Sequence, residues 1–478
     1  MTDTPTTTSG GGAPPGAISD FGIDTTAKST GEAVRDYLVR LRSGDLGPLP
    51  AILGLLVLLV VFSSLSDTFL TLNNQANLLA QSAGEMIIAM GLVFVLLVGE
   101  IDLAAGTASG VCASLMAIHY VRGGNLLGHL GSTVFYVFVG GLVVAAALAV
   151  IMRIWAGAAL SLGAAAITLS GVGPNPWMEM LLVVCVGAAI GCITGFLVSK
   201  IGMPSFVVTL ALFITWQGVI LRFIGEGGVF RIYTQDTLDA VANGNLSVTA
   251  SWILCAIAAG GYAVVALGEH FHRLRRGLVT KPTPVVLFQV SAIAALAVLA
   301  TIALTVNRSP NPDIVTIRGI PFVVPIVLAL LVAGTYVLNR TRYGRYVYAV
   351  GGNAEAARRA GVNVSKIRAS VFVISMSVAA IGAIVYSSKV GQVDPAAGGG
   401  NTLLFAVGAA VIGGTSLFGG RGKVSHAVIG GLVLATVENG LGLLKQSAAV
   451  VNIITGLVLL LAATVDALSR RRAARATG

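Results

Sequence analysis

Charge is scarce in this chain. Only 10% of its residues are Asp, Glu, Lys or Arg, against about 25% in an ordinary soluble domain. So few charges leave too little solvated surface for a soluble protein of this length, and they point the chain into a bilayer. Cysteine is scarce too. Cys112, Cys185, Cys192 and Cys255 each fall inside an apolar run, and none has the paired spacing of a metal site. The five histidines are scattered. Glu269, His270 and His272 stand beside Arg273, Arg275 and Arg276, whose charges would repel a cation, so no metal site is expected. Neither an HExxH nor a GxSxG motif is present, which excludes the commoner hydrolase chemistries. The stretch "LFGGRGKVS" (417–425) is a decoy for a phosphate-binding loop. Leu417 replaces its first glycine and Val424 its magnesium-binding hydroxyl. The first residues lack the basic start and apolar core of a cleaved signal peptide.

Apolar residues are abundant: 55% of the chain, with mean hydropathy +0.89. They fall into fourteen runs near the length that spans a bilayer, about 20 residues. These lie at about 50–70, 77–98, 103–121, 132–153, 155–171, 177–199, 204–224, 249–269, 284–305, 319–338, 367–388, 401–418, 424–444 and 447–466. Backbone groups in hydrocarbon must be satisfied within their own segment, so the runs predict helices. The expected fold is all-α, a polytopic transmembrane helix bundle. Formal charge is +10. With the N-terminus inside, 23 of the 30 Lys and Arg face the cytoplasm. Seven lie outside: Arg122, Arg222, Arg231, Arg308, Arg318, Lys389 and Lys445. That asymmetry sets orientation and argues against nucleic acid as the partner of the positive charge. The partner it implies is a lipid bilayer, in a plasma (inner) membrane crossed many times, with both termini cytoplasmic.

Residues 1–45 read as a disordered cytoplasmic tail, 46–468 as one transmembrane domain and 469–478 as a basic cytoplasmic tail. The loop at 225–248 is long and polar enough for a small cap. Gly187, Gly191 and Gly195 form a small-xxx-small series that lets helices approach closely.

One segment breaks the apolar pattern. In "VGGNAEAARRAGVNV" (350–364), Asn353 is a favoured N-cap and Glu355 lies where the helix dipole favours an anion. Arg358 and Arg359 lie where it favours cations, and Gly361 supplies a left-handed stop. These signals predict a helix over 354–360. A helix this short does not persist alone in water, where about 12–15 residues are marginal. Something must pack against it. Its alanines make a low-relief surface that suits either its own bundle or a groove on another chain.

The segment "EAARRAG" (355–361) resembles the cytoplasmic loop motif of bacterial ATP-binding-cassette import permeases. Three further stretches are similar to the ribose- and xylose-type sugar branch of that family: "LVGEIDLAAGT" (97–107), "GMPSFVVTLALFITWQGV" (202–219) and "VIGGTSLFGGRGKV" (411–424). Together they cover roughly residues 70–468 in order. Ala104 and Ala105 depart from the usual Ser-Val, and material near 123–176 is additional, so the bundle is set at about 10–14 spans. The resemblance implies a coupling loop at about 339–367. Its short helix (Gly352, Asn353, Glu355, Ala356, Ala357, Arg358, Gly361) would dock into a separate ATPase subunit. It also implies an extracytoplasmic sugar-binding protein, a second copy of the permease, and no cofactor on this chain, ATP and magnesium residing on the partner.

Ionisable groups within spans are read as functional by default. These are Glu85, Glu100, Asp102 and Glu438. A sugar path needs hydroxyl or amide partners and an aromatic face, and Gln81, Ser82, Phe206, Thr209, Trp216, Thr415 and Asn439 are of that type. For Phe206 and Trp216 taken singly, packing is the favoured reading. An ion-coupled secondary transporter of a small polar solute is the alternative, with Glu85 and Glu438 as coupling acids. "TWQGV" leans the substrate toward xylose.

Overall fold

Helices dominate because backbone polar groups have no other partners in hydrocarbon. The structure, a computed structural model, describes residues 31–32, 35, 47–233, 236–278, 280–309, 311 and 313–477. Side chains at 466 and 468–477 lie outside that description, as does nearly all of the tail read over 1–45. In chain order the helices are α1 Leu49–Leu65, α2 Leu72–Leu97, α3 Ala105–Val121, α4 Leu126–Leu130, α5 Ser132–Ile151, α6 Trp155–Ser170, α7 Pro176–Phe196 and α8 Ser205–Ile224. After a two-residue strand β1 (Phe230–Arg231) come α9 Asp236–Asn243, α10 Val248–Arg275, α11 Thr283–Thr305, α12 Val323–Arg340, α13 Arg342–Gly352, α14 Ala354–Arg359 and α15 Val364–Val390. Strand β2 (Gln392–Val393) precedes α16 Gly400–Ile412, α17 Val424–Leu443 and α18 Ala448–Thr477. The C-terminal residues read as a tail thus continue the last helix through Thr477.

Every apolar run in the sequence corresponds to a helix, but the fourteen are not equivalent. Ten are long and apolar enough to cross a membrane, and α1, α3, α6 and α16 are shorter. The run at 401–418 is the clearest correction. Its helix stops at Ile412 after 13 residues, about 20 Å at 1.5 Å per residue. A glycine-rich turn follows, so α16 reaches only part of the way. The fifth run, at 155–171, is a helix whose Gly157, Ala158, Ser161, Ala164, Ala165 and Thr168 are buried on one stripe. It packs between α5 and α7.

The chain divides into two compact units, residues 1–40 with 255–299 and residues 41–254 with 300–478. The smaller contains much of α10 and α11, where His270 lies 3.0 Å from the Thr283 hydroxyl. The core of the larger is built on α2, α7 and α15. The glycine series explains the closest of these contacts. A Cβ at Gly191 would sit 2.6 Å from Val373 Cα, and Gly187 and Gly195 meet Met376 and Ala369 as closely. Small residues here replace side-chain interlock with backbone-to-backbone packing.

The 225–248 segment forms the small cap its composition suggested. β1 pairs antiparallel with β2, and the N–H of Ala242 in α9 donates to Ser388 Oγ at 2.9 Å. The far end of α15 is thereby clamped. Near this end lie Lys389 and Arg231, and Arg122 stacks on Phe230 at 5.7 Å.

Candidate functional site

At the opposite end of α15 lies α14. Asn353 Oδ1 accepts the Ala356 N–H at 2.9 Å. The helix closes with Val362 N–H on Ala357 O and Gly361 N–H on Arg358 O, both 3.0 Å, with Gly361 at φ +82. This is the left-handed termination that glycine allows without strain. Glu355 holds Arg358 at 3.0 Å and Arg359 at 3.3 Å, both pairs solvent-exposed. Ala357 is buried, whereas Gly352, Asn353, Glu355, Ala356, Arg358, Arg359, Ala360 and Gly361 are open. One edge of the helix rests on its own bundle, and a charged, low-relief face has no cover among the described residues.

The motifs spaced widely in the sequence meet beside α14. Tyr348 of α13 donates its hydroxyl to Gly422 O at 2.8 Å, and the Gly420 N–H donates to Leu97 O at 2.8 Å. Arg368, one turn into α15, forms an ion pair with Glu100 at 3.1 Å. Tyr343 shares a 2.8 Å hydrogen bond with Ser370. Burial pushes its phenol up to about 12 despite that bond, so it stays protonated at physiological pH. Ser365 donates to Ser199 O at 2.7 Å, where α7 ends in a π-helical turn, Leu197–Ile201. Displacement of α13–α14 would thus be felt at once by the α2–α3 connection, the 413–422 turn and the starts of α8 and α15. Tyr343, Tyr348 and Arg368 carry these ties and were not singled out from sequence. Their partners lie far away along the chain.

Several residues nominated for a polar path have hydrogen-bond partners within the bundle. Thr209 is fully buried and donates to Ser205 O at 2.8 Å and Ile101 O at 3.3 Å, while the Ile101 N–H donates to Ser205 Oγ. Asn439 exchanges amide hydrogen bonds with Asn74 at 2.9 and 3.0 Å, joining α17 to α2. Ser82 donates to its own helix at Leu78 O, 2.8 Å. Asp102 is buried and caps α3 through the Ala104 N–H at 3.0 Å, leaving its second oxygen unpartnered among the described residues. Thr415 is buried beside Gly422. Phe206 is exposed on the outside of α8, and Trp216 packs against the core.

The remaining candidates converge half-way along the bundle. Gly84 is near the midpoint of α2, and a Cβ there would lie 2.9 Å from Tyr386 Cβ. Tyr386 is within Coulombic reach of Glu85, Glu438 and Asp394. Gln81 lies one turn from Glu85 on the same helix and is exposed. Adjoining this cluster is a cavity of about 120 Å³ between α3, α15 and the segment leading into α16. Its polar wall comprises Ser109, Tyr386, Ser387, Gln392, Asp394 and Thr402. None of these was picked out from sequence, because isolated hydroxyls in apolar runs give no local signal. No group of three or more His, Cys, Asp or Glu that could hold a metal occurs among the described residues.

Comparison with known proteins accords with this architecture. A family model described as "Branched-chain amino acid transport system / permease component" matches residues 154–463. The chain is 30% identical over 437 residues to a xylose transport system permease protein of Haemophilus influenzae, covering 91% of this chain and all of the relative. It is 28% identical to the corresponding xylose protein of Escherichia coli K12, covering 90% of this chain and 94% of the relative. It is also 28% identical to a ribose import permease protein of the same strain, covering 87% and 92%. No solved structure matches. With its matched region extending over more than half its length, the chain belongs to the branched-chain amino acid transport system permease component family.

Proposed function

We propose that this protein is the membrane-spanning permease subunit of an ATP-driven monosaccharide importer, of the xylose type. It forms the translocation path as a homodimer, receives sugar from an extracytoplasmic binding protein and couples to a separate ATPase that carries the ATP and magnesium. The observation that carries this reading is the two-faced α14. A six-residue helix is too short to stand alone, yet its face bearing Glu355, Ala356, Arg358 and Arg359 has no cover among the described residues. A cleft on another polypeptide supplies the missing packing. The ties from α13 and α15 to the 97–104 and 413–422 segments give that contact a mechanical route into the bundle. Relatives named as xylose and ribose permeases support the substrate class.

A second reading has one observation in its favour. Glu85 and Glu438 lie within Coulombic reach of each other, as the coupling acids of an ion-coupled transporter would. Uptake by membrane vesicles separates the two. The importer needs internal ATP, the ATPase and a binding protein, and is indifferent to collapse of the proton and sodium gradients. Uptake that follows an ion gradient without ATP would replace the first reading by the second.

A further inference from the structure

We propose that the mid-bundle cavity is a monosaccharide subsite. In it Ser387, Thr402, Gln392 and Asp394 take sugar hydroxyls, and Tyr386 covers a ring face. This inference rests on the importer reading and adds the residues at which the sugar is held within one protomer.

Four observations lead there. First, the cavity reaches into the bundle: Tyr386 in its wall packs on Gly84 near the midpoint of α2, and from there the lining runs to Gln392 in β2. Second, the two short helices begin there. α3 has 17 residues and α16 has 13, about 25 and 20 Å, against roughly 30 Å of hydrocarbon. Residues 394–399 are irregular backbone laid against α3, Gly398 on Gly106 and Ala397 on Gly110, and within a membrane domain such backbone persists only where protein buries it or where it lines a polar cavity. Broken helices of this kind frame transporter binding sites.

Third, the wall is rigid. A side chain at Gly110 would have no room before the Ala397 carbonyl, so the connection lies flat on α3. Asp394 Oδ1 accepts the Ala396 N–H at 2.8 Å, and β2 is held by β1. Fourth, Ser387 and Thr402 line the cavity although they are only 2% and 6% exposed, so its hydroxyl-bearing wall lies within the protein and not on its outer surface. Ser109 donates to Gly106 O at 2.6 Å and keeps its acceptor capacity.

The chemistry selects a neutral polyol. No basic side chain lines the cavity, which excludes sugar phosphates and sugar acids. Its single carboxylate, already bonded once, is too little for a divalent cation. Hydroxyls, one amide, one carboxylate and one phenol ring match the mixed polar and C–H surface of a pentose or hexose. The set is also weak enough to release what it holds.

The test has two arms. In the full chain bearing Ser387→Cys, alkylation by a small thiol reagent is measured with saturating xylose or ribose and with an equal concentration of a non-carbohydrate osmolyte. We expect the sugar alone to slow the reaction at least threefold. In liposomes holding the permease, its ATPase and a binding protein, Thr402→Val is expected to lower ATP-driven sugar flux about 3- to 10-fold. It should have little effect on an analogue lacking the hydroxyl that Thr402 meets. A reactive thiol that no monosaccharide protects, or a Thr402→Val defect that is absent or equal for all analogues, overturns the subsite. Should the thiol prove unreactive, the flux arm decides. Protection by sugar with no ATP-driven flux in the wild type would keep the subsite and sink the importer.

Discussion

Two polar pairs far from α14, one buried and one half-buried, show how single residues set the bundle. His119 Nδ1 lies 2.6 Å from Glu179 Oε1, and both side chains are almost wholly buried. The pair joins the end of α3 to the first turn of α7. Taking one partner from a buried pair leaves the other unpaired in low dielectric, at about 3–5 kcal/mol, whereas replacing both with apolar groups of similar volume is far milder. Glu179→Ala should therefore lower the unfolding midpoint in detergent sharply, and His119→Leu with Glu179→Leu should restore much of the loss. A single variant that melts with the wild type would show the pair to be idle. The Asn74–Asn439 amide pair works on the same principle between α2 and α17. Neither pairing is visible locally, since a His in one apolar run says nothing about a Glu in another.

Short elements carry the largest share of the argument. α14 was legible in the sequence almost to the atom, because its cap, its dipole charges and its stop all lie within ten residues of one another. Only the inward turn of Ala357 depended on the tertiary fold. The length of α3 was legible to within two residues, that of α16 was not: the run read over 401–418 carries on through Gly413 and Gly414, where the helix has already ended. The cavity was hidden because its wall draws on three separated segments. For α14 the expectation is specific. Arg358→Glu reverses charge on the open face and breaks the ion pair with Glu355, an exposed pair worth only about 0.2–1 kcal/mol. The permease should insert and melt normally while recovering several-fold less ATPase on co-purification. Gly361→Val strains a φ of +82 and should do the same by displacing the helix end. Undiminished co-purification in both would show that the ATPase docks elsewhere.

On the scale of the whole larger unit, α15 joins two unlike ends. The α14 end carries the concentrated basic residues of the 339–367 loop. The other end carries the β1–β2 ribbon, α9 and most of the sparse cations. If positive charge marks the cytoplasmic side, α14 meets an ATPase there, and the ribbon end meets the binding protein outside. Cysteine labelling reads this directly, with little background expected because Cys112, Cys185, Cys192 and Cys255 are all buried. In sealed right-side-out vesicles, Glu226→Cys, exposed beside the ribbon, should react with an impermeant maleimide. Ala356→Cys should react only after the membrane is opened. Added ATPase should then shield Ala356→Cys and leave Glu226→Cys untouched, because only a face covered in the complex loses access. The reverse pattern, with Ala356→Cys labelled from outside, would invert the molecule. It would place the short helix where no ATP is hydrolysed and remove the basis for coupling altogether.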